Sequence, residues 1–221
     1  MTIAHDPHPE PRQEDELFVR FANTLELSRG EPIEHLSDID ALLDWLRNEG
    51  LISSRGRAAE AGRLHRDPEE AARRLQRFQR LRDVLSAAAT DLVERGDVRP
   101  SHLGELNHIL RHGLHYHQLR HERGAARFTV SQVGDRLDQA RATIAGSFAH
   151  FLAENGADRL RICANEACRY LFIDRSPAGR RRWCDMRTCG NQAKVARHRA
   201  RAREGTPGTH ATGLPPADAS V

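Results

Sequence analysis

The sequence predicts a mainly α-helical fold: a multihelical N-terminal domain with a small β-hairpin, followed by a much smaller C-terminal module. Two observations lead to this prediction. Apolar residues recur every three or four positions through much of residues 13–154, which is the period of an amphipathic helix. All four cysteines lie between residues 163 and 189, in a segment with too few apolar residues for a core of ordinary size.

Length and composition set the limits of this organisation. The chain has 221 residues, of which 38% are hydrophobic and 29% are charged. We expect a disordered N-terminus over residues 1–12, a helical body over 13–157, the C-terminal module over 158–203 and a flexible tail over 204–221. The sequence contains no run of about 18 apolar residues, so it predicts no membrane span. The N-terminus is polar, without the apolar core of a secretory signal. We therefore expect a cytoplasmic protein with no membrane partner.

The first two helices are predicted over residues 13–29 and 38–48, because apolar side chains recur at helical spacing in both. The pair Arg29-Gly30 is expected to end the first helix. Asp38, or the serine before it, can cap the second helix by accepting a hydrogen bond from a free amide of its first turn.

The longest helix is predicted over residues 67–95. Asp67 suits the N-cap and Pro68 suits the first helical position. We expect its arginines to form a mostly solvated face, paired in part with acidic neighbours. These arginines are Arg73, Arg74, Arg77, Arg80 and Arg82. Further helices are predicted over 101–112 and 135–154.

Between those last two helices, residues 114–132 change to the period of a strand. The stretches LHYHQLRH and ARFTVSQV both alternate in polarity, and residues 122–124 can turn between them. This pattern predicts a two-stranded hairpin.

The four cysteines predict a metal site. Cys163 and Cys168 form one Cys-x4-Cys pair, and Cys184 and Cys189 form the other. Reducing conditions in the cytoplasm disfavour disulfides. Four thiolates suit tetrahedral zinc and leave no position for a water molecule, so we expect one structural zinc. An iron–sulfur cluster, which also takes four thiolates, is the main alternative.

The residues around the cysteines predict how the module folds. RYLFID is typical of a strand, RSPAG of a turn, and RRRWC leads back to the second cysteine pair. A helix follows Gly190, with Asn191 as its expected N-cap. Strand, turn, strand, zinc loop and helix together describe a treble-clef-like zinc finger.

These segments resemble a known family. The two cysteine pairs and the spacer LFIDRSPAGRRRW are similar to the CGNR zinc finger of bacterial proteins. FANT, DWLRNEGLI, LRDVL and ELNHIL are similar to segments of the ABATE domain that precedes that finger. The resemblance covers residues 16–203. It implies a mostly helical body, a structural zinc held by the four cysteines, and a role in stress-linked transcription regulation.

One residue departs from the family pattern. The final arginine of the name-giving motif is Gln192 here, so the motif reads CGNQ. Glutamine keeps the ability to form hydrogen bonds but carries no charge. If the family's arginine contacts a phosphate, this chain has lost one such contact.

The distribution of charge indicates an anionic partner for the C-terminal module. Residues 159–203 contain thirteen Lys or Arg and three Asp or Glu, a net charge of +10, whereas residues 1–158 carry −5. Such a module suits contacts with the phosphates of duplex DNA. The candidate contacts are Arg180, Arg181, Arg182, Arg187, Asn191, Gln192, Lys194, Arg197, Arg199 and Arg201.

Other roles for these arginines stay open. They can offset the −2 charge of zinc with four thiolates, or pair with the acidic body. The leading hypothesis is a DNA-binding transcription regulator whose body senses a small-molecule effector or mediates assembly. The alternative is a zinc-stabilised protein–protein interaction module without nucleic-acid binding. The sequence contains no nucleotide-binding loop and no catalytic motif, so we do not expect an enzyme.

Two further groups of residues are weaker candidates. Asn23 and Thr24 interrupt an apolar pattern, which fits either a hydrogen-bonded core feature or the floor of a small-molecule pocket. His108 and His112 are four residues apart on a predicted helix, where a second metal site is possible but ordinary surface histidines are favoured.

Overall fold

A computed structural model describes residues 16–113, 116–121, 128–155 and 157–204. The described chain is mainly helical with a small hairpin and a C-terminal four-cysteine cluster, which confirms the predicted fold class. The expected disordered N-terminus, the turn at 122–124 and all but the first residue of the expected tail lie outside the described residues.

The described residues form seven α-helices and three antiparallel pairs of short strands. The helices are α1 (Leu17–Ala22), α2 (Ile39–Asn48), α3 (Ser54–Leu64), α4 (Pro68–Arg95), α5 (Pro100–His112), α6 (Arg136–Asn155) and α7 (Asn191–Glu204). The strand pairs are β1 (Leu25–Ser28) with β2 (Glu31–Glu34), β3 (Tyr116–His121) with β4 (Phe128–Val133), and β5 (Leu160–Ile162) with β6 (Leu171–Ile173). Among the described residues, no helix has the length and apolar character needed to cross a membrane.

The prediction of a single helix over residues 13–29 is wrong. Helix α1 ends at Ala22, and the chain then forms the hairpin β1–β2. The two residues between the strands, Arg29 and Gly30, have φ angles of 55° and 89°. Positive φ at both central residues is the requirement of a tight turn that joins antiparallel strands. The Arg-Gly pair therefore turns a hairpin, and the apolar residues on either side alternate as strand residues do.

The other predicted helices of the body are present at nearly the predicted positions. Asp38 accepts a hydrogen bond from the backbone N–H of Ala41 at 2.8 Å, and Asp67 accepts one from Glu70 at 2.9 Å, as expected of N-caps. The predicted hairpin is present as β3–β4. Helix α3 was not predicted, because its sequence SRGRAAEAGRL has few large apolar side chains from which a period can be read.

Helix α4 is the centre of the body and packs against α1, α2, α3, α5 and α6. Aromatic rings fill the space between these helices. The ring centroids of Phe18 and Phe148 are 5.0 Å apart, and those of Phe21 and Phe78 are 6.2 Å apart. All four rings are essentially buried, so their removal from water is a main stabilising contribution to the body.

One arginine of α4 is buried inside the body. Arg82 is 4% exposed, and its two terminal nitrogens each donate to a carboxylate oxygen of Glu34 at 2.6 Å. Burial by itself would raise the pKa of Glu34, but hydrogen bonds from Arg82 and from the Leu36 amide outweigh burial and lower it. The prediction that Arg82 lies on a solvated face is therefore wrong. Its ion pair with Glu34 fixes the hairpin β1–β2 on α4.

Strands β5 and β6 anchor the C-terminal module in the body. Leu160, Leu171 and Ile173 are buried in the same apolar core as the helices. The side-chain amide of Asn23 also forms two hydrogen bonds with the backbone of β6, as a neighbouring strand would. Its Nδ2 donates to the carbonyl of Leu171 at 2.8 Å, and its Oδ1 accepts from the amide of the same residue at 3.0 Å.

The tip of the hairpin β1–β2 makes a second connection. The backbone N–H of Gly30 donates to the carbonyl of Ala167, between the first two cysteines, at 3.1 Å. Arg169 also pairs with Glu94 at the end of α4, at 3.6 Å. The body thus contacts the cysteine region directly as well as through β6.

We predict that Asn23→Ala destabilises the protein by about 2–3 kcal/mol, because the buried N–H and C=O of Leu171 both lose their partner. Urea unfolding followed by circular dichroism measures this. Asn48→Ala, the same substitution at an exposed position, is the control and should change stability by less than about 0.5 kcal/mol. Equal stabilities for the two variants would show that the Asn23 amide does not hold the module to the body.

Candidate metal centre and nucleic-acid interface

The four cysteine sulfurs form a compact buried cluster. They all lie within 4.8 Å of one another, with 3.7 Å between Cys168 and Cys184 and 3.8 Å between Cys184 and Cys189. Four sulfurs about 2.3 Å from a central zinc in a tetrahedron are about 3.8 Å apart. A disulfide requires about 2.05 Å. The cluster thus has the dimensions of a four-thiolate zinc site, and no disulfide joins its four cysteines.

A tight turn built on Asn165 positions the first cysteine pair. The Asn165 carbonyl accepts hydrogen bonds from the amides of Cys168 and Arg169, both at 2.9 Å, and its side-chain oxygen accepts from Ala167 at 3.1 Å. Arg169 completes the turn with a φ of 53°. The Asn165 amide nitrogen also lies 3.6 Å from the sulfur of Cys189, so this residue contacts both cysteine pairs.

The strand β6 lies where the sequence predicted a strand, but its partner differs. It pairs with β5, and the amide of Cys163 extends the ladder by donating to the Tyr170 carbonyl at 2.9 Å. Residues 180–184, predicted to return as a strand, form none. The ribbon β5–β6 therefore encloses the first cysteine pair, and the second pair approaches from outside it.

A buried aspartate explains why residues 180–184 do not form a strand. The carboxylate of Asp174 accepts hydrogen bonds from the amide and hydroxyl of Ser176 and from the amide of Arg181, the last at 2.7 Å. Burial raises the pKa of Asp174, but these donors outweigh burial and lower it. The carboxylate thus takes the Arg181 amide, a backbone donor that a strand ladder would use.

A second aspartate positions the other cysteine pair. The carboxylate of Asp185 accepts from the amides of Arg187 and Thr188, at 2.6 and 3.1 Å, and so caps a π-helical turn over Met186–Gly190. Helix α7 follows this turn without a break. The prediction that Asn191 is the N-cap is wrong, because its side chain instead donates to the Arg187 carbonyl at 2.9 Å.

Once one thiol of the cluster has ionised, it opposes the ionisation of the others. Hydrogen bonds from Cys168 and Cys184 lower the pKa of Cys163, so that thiol ionises first. The hydrogen bond to Cys163 then raises the pKa of Cys168, and hydrogen bonds to Cys163 and Cys168 raise that of Cys184. A divalent cation bound by all four thiolates offsets the repulsion between their negative charges. Because all four metal-ligand atoms are sulfur, the centre is suited to a structural role.

The metal centre is also the core of the module. Tyr170 and Phe172 are buried against the four cysteines, and Trp183 packs beside them. So few side chains form a core smaller than an independent domain requires. Zinc and the contacts with the body supply the missing constraint.

One residue predicted to contact DNA, Arg181, instead stabilises the fold of the module. Arg181 donates to the Cys184 carbonyl at 2.6 Å, and its guanidinium lies 5.1 Å from the centre of the Phe172 ring. It holds the loop before the second cysteine pair against β6. Its neighbour Arg182 is exposed and lies 5.2 Å from the ring centre of Trp183.

The remaining predicted contacts that are described lie on the surface. The exposed side chains are Arg180, Arg182, Arg187, Asn191, Gln192, Lys194 and Arg197. Arg199 and Arg201 belong to α7, but their side chains lie outside the described residues. The side-chain oxygen of Gln192 accepts a hydrogen bond from Asn165 at 3.0 Å, so this position lies against the first cysteine pair.

Helix α7 makes few contacts with the rest of the module. Among the alanines of α7 whose side chains are described, Ala193 is partly buried and Ala196 is exposed. Val195 is 49% exposed. The helix leaves the zinc centre at its N-terminal end and presents its described side chains largely to solvent.

Asn23 and Thr24 are buried and hydrogen-bonded. Besides the bonds of Asn23 to β6, the Thr24 hydroxyl donates to the Phe21 carbonyl at 2.7 Å. Asn23 borders a cavity of about 290 Å³, but both ends of its amide are engaged. The four cysteines are the one group of three or more clustered potential metal ligands within the described residues. His108 and His112 instead contact each other, with ring centroids 4.2 Å apart.

Sequence reasoning missed the polar residues that shape the cysteine loops, namely Asn165, Asp174 and Asp185. For Asp185 a signal existed, because an aspartate directly before a helical stretch is typical of an N-cap. For the other two, no local pattern distinguishes them from ordinary loop residues.

Comparison with protein families agrees with the geometry. Residues 159–202 match the model of the CGNR zinc finger. Residues 15–155, more than half of the chain, match the ABATE model, described as "Putative stress-induced transcription regulator". Neither description names an enzyme. No curated protein matches the chain significantly. The finger match and the four-cysteine cluster together assign one structural zinc to this chain.

We predict that Cys184→Ser loses most of the bound zinc and destabilises the protein by about 3 kcal/mol or more, because metal binding energy is folding energy in such sites. Metal analysis and urea unfolding measure the two effects. In the wild type, a strong chelator should reproduce the loss of stability, whereas the same chelator preloaded with zinc should not. A Cys184→Ser variant with full zinc content and unchanged unfolding would contradict the assignment.

Proposed function

The chain belongs to the ABATE family and carries a C-terminal CGNR zinc finger, and we propose that it is a transcription regulator that binds duplex DNA through this finger. In this proposal Cys163, Cys168, Cys184 and Cys189 hold one zinc, and the zinc holds α7 in position. The proposal rests mainly on one observation: the exposed cations of α7 and of the loop before it form no ion pair within the described chain.

The character of α7 supports this reading. A helix that lies on a core normally has one apolar face, whereas the described side chains of α7 are largely exposed and polar or cationic. Lys194 and Arg197 are three positions apart and so lie on neighbouring sites of one face. Such a face suits the phosphates of a nucleic-acid backbone.

The exposed cations differ from the arginines that serve the fold. Arg169 and Arg175 pair with Glu94 and Glu16 of the body, at 3.6 and 3.7 Å. Arg159 and Arg161 donate to backbone carbonyls of the loop at residues 176–179. In contrast, no ion pair within the described chain involves Arg180, Arg182, Arg187, Lys194 or Arg197. These five residues are the proposed phosphate contacts.

The contacts between the body and the module give the body a way to control DNA binding. The contacts of Asn23 with Leu171 and of Gly30 with Ala167 connect the first helix and hairpin of the body to β6 and to the first cysteine loop. A shift of that hairpin would therefore move the first cysteine loop, whose Asn165 donates a hydrogen bond to Gln192 of α7. We propose that the body acts on DNA binding through these contacts.

A protein partner is the second candidate for the same surface. Met186 is 50% exposed and Val195 is 49% exposed, among the exposed cations. Apolar side chains among charges are common in protein–protein interfaces. Zinc-loaded protein that binds no duplex DNA at low salt would favour this second function.

We predict that the triple variant Arg182→Gln, Arg187→Gln, Lys194→Gln binds random duplex DNA more weakly and with less dependence on salt. Each lost phosphate contact should reduce the log–log salt slope by about 0.9, so the slope should fall by about 2.7. Fluorescence anisotropy between 50 and 300 mM salt measures both effects. The conditions are chosen so that the dissociation constant stays measurable throughout.

The control carries the same change in net charge on the body. Arg55, Arg66 and Arg95 are exposed there, and their replacement by glutamine should leave the slope within about 0.5 of wild type. Equal losses in the two triple variants would show that net charge, and not this surface, determines binding. A flat salt dependence in the wild type would contradict phosphate contact altogether.

Gln192→Arg restores the arginine of the family motif. We predict that it steepens the salt slope by about 0.9 and tightens binding, because it adds one phosphate contact. Gln192→Leu is the control: it also loses the hydrogen bond with Asn165 but gains no charge, so its slope should stay at the wild-type value. If both variants have the wild-type slope, position 192 does not contact DNA.

A further inference from the structure

A groove of about 620 Å³ lies between α4 and α5, with α6 contributing one side chain. It is separate from the metal centre and from the proposed DNA surface. Its volume is that of a site for a small molecule. No residue in this groove was a candidate for the predicted effector pocket.

Arginines dominate the charged lining of the groove. Arg73, Arg77 and Arg80 come from α4 and Arg141 from α6, whereas Glu105 is the acidic residue among its lining side chains. Arg80 pairs with Glu105 at 2.8 Å, and the other three arginines pair with carboxylates that do not line the groove. Arg73 pairs with Glu69 and Glu70, and Arg77 and Arg141 pair with Asp138. The exposed, ion-paired side chains of Arg73, Arg77 and Arg80 agree with the prediction of a mostly solvated face on α4.

Two of the arginines that line the groove share one carboxylate. Asp138 is shared between Arg141, at 3.0 Å, Arg74, at 3.4 Å, and Arg77, at 3.7 Å. Arg74 has further partners in Glu70 and Asp135, whereas no other ion pair within the described chain involves Arg77 or Arg141. A second negative charge at this point would be favourable.

Arg141 is the most enclosed of the four arginines. Its side chain is 12% exposed, whereas those of Arg73, Arg77 and Arg80 are at least 54% exposed. Its Nε is buried and has no hydrogen-bond partner in the described part of the chain. Burial, together with the nearby charges of Arg77 and Arg74, lowers its pKa in spite of Asp138. A buried donor without a partner is costly unless a ligand supplies an acceptor.

The rest of the lining mixes the polar side chains of Gln76, Ser101 and His108 with an aliphatic one, and it has room for a ligand. Ile109 contributes the aliphatic side chain, and an added Cβ at Gly104 would meet no atom within 4 Å. The groove therefore combines an aliphatic side chain with cations at its edge and at its most enclosed point. That combination matches a molecule with an acidic group on an apolar body.

We propose that this groove binds a small organic anion, a carboxylate or similar acid on an apolar body, with the acid near Arg141. The proposal does not depend on DNA binding. Where both hold, the anion is of the chemical class of the regulator's effector. A macromolecular ligand is disfavoured by the limited volume of the site.

The test is a calorimetric titration of the full-length, zinc-loaded protein with 4-phenylbutyrate. The neutral amide and the cationic amine of the same skeleton, 4-phenylbutyramide and 4-phenylbutylamine, are the matched probes. We expect saturable binding of the carboxylate at one site, at least tenfold weaker binding of the amide and none of the amine. Equal binding of all three, or no saturable binding of the carboxylate below about 5 mM, would overturn the proposal.

Three variants test the location. Gly104→Leu fills the groove and should weaken 4-phenylbutyrate binding at least tenfold without unfolding α5, because leucine favours a helix more than glycine. Arg80→Gln leaves Glu105 unpaired and should weaken binding about threefold or more. Arg55→Gln, outside the groove, should have no effect. Unchanged binding in Gly104→Leu would place the anion elsewhere, and this result would leave the DNA titrations unaffected.

Discussion

Four sulfur atoms have to meet around one ion, and the C-terminal module is arranged to make this possible. The first pair comes from a turn built on Asn165, and the second from a π-helical turn capped by Asp185. These loops bring the sulfurs to separations of 3.7 and 3.8 Å, which are those of a tetrahedral thiolate site. Because Tyr170, Phe172 and Trp183 are nearly the whole of the surrounding core, the metal substitutes for packing that so short a segment cannot provide.

The need to support the metal site also explains how the N-terminal body and the C-terminal module are joined. Strand β6 faces the body with Leu171 and Ile173 and faces the metal with Phe172, so alternation along one strand joins two cores. Asn23 secures that strand through both hydrogen bonds of Leu171. Helix α7 is attached at the metal, and its described side chains are largely exposed. An acidic body and a basic module are thus connected by a short, specific set of contacts.

Local signals predicted much of this structure. Asp38 and Asp67 are true N-caps, and the cysteine spacing was sufficient to identify the cluster. Errors arose where distant contacts decide the outcome. The apolar residues at 25 and 27 fit a helix as well as a strand, and the choice depends on the left-handed Arg29 and on Glu34 being held by Arg82. The pairing of β6 with β5, and the groove near Arg141, likewise depend on elements far apart in the sequence, which a periodic pattern does not reveal.

The central claim is that four thiolates hold a single zinc, and X-ray absorption at the zinc edge tests it most directly. For the purified full-length protein, the account predicts one zinc per chain with four sulfur neighbours at about 2.3 Å. Nitrogen or oxygen neighbours at about 2.0–2.1 Å would show that one or more cysteines are not ligands. Iron in place of zinc, with the metal–metal scattering of a cluster, would contradict the structural-zinc account and assign the four thiolates to an iron–sulfur centre.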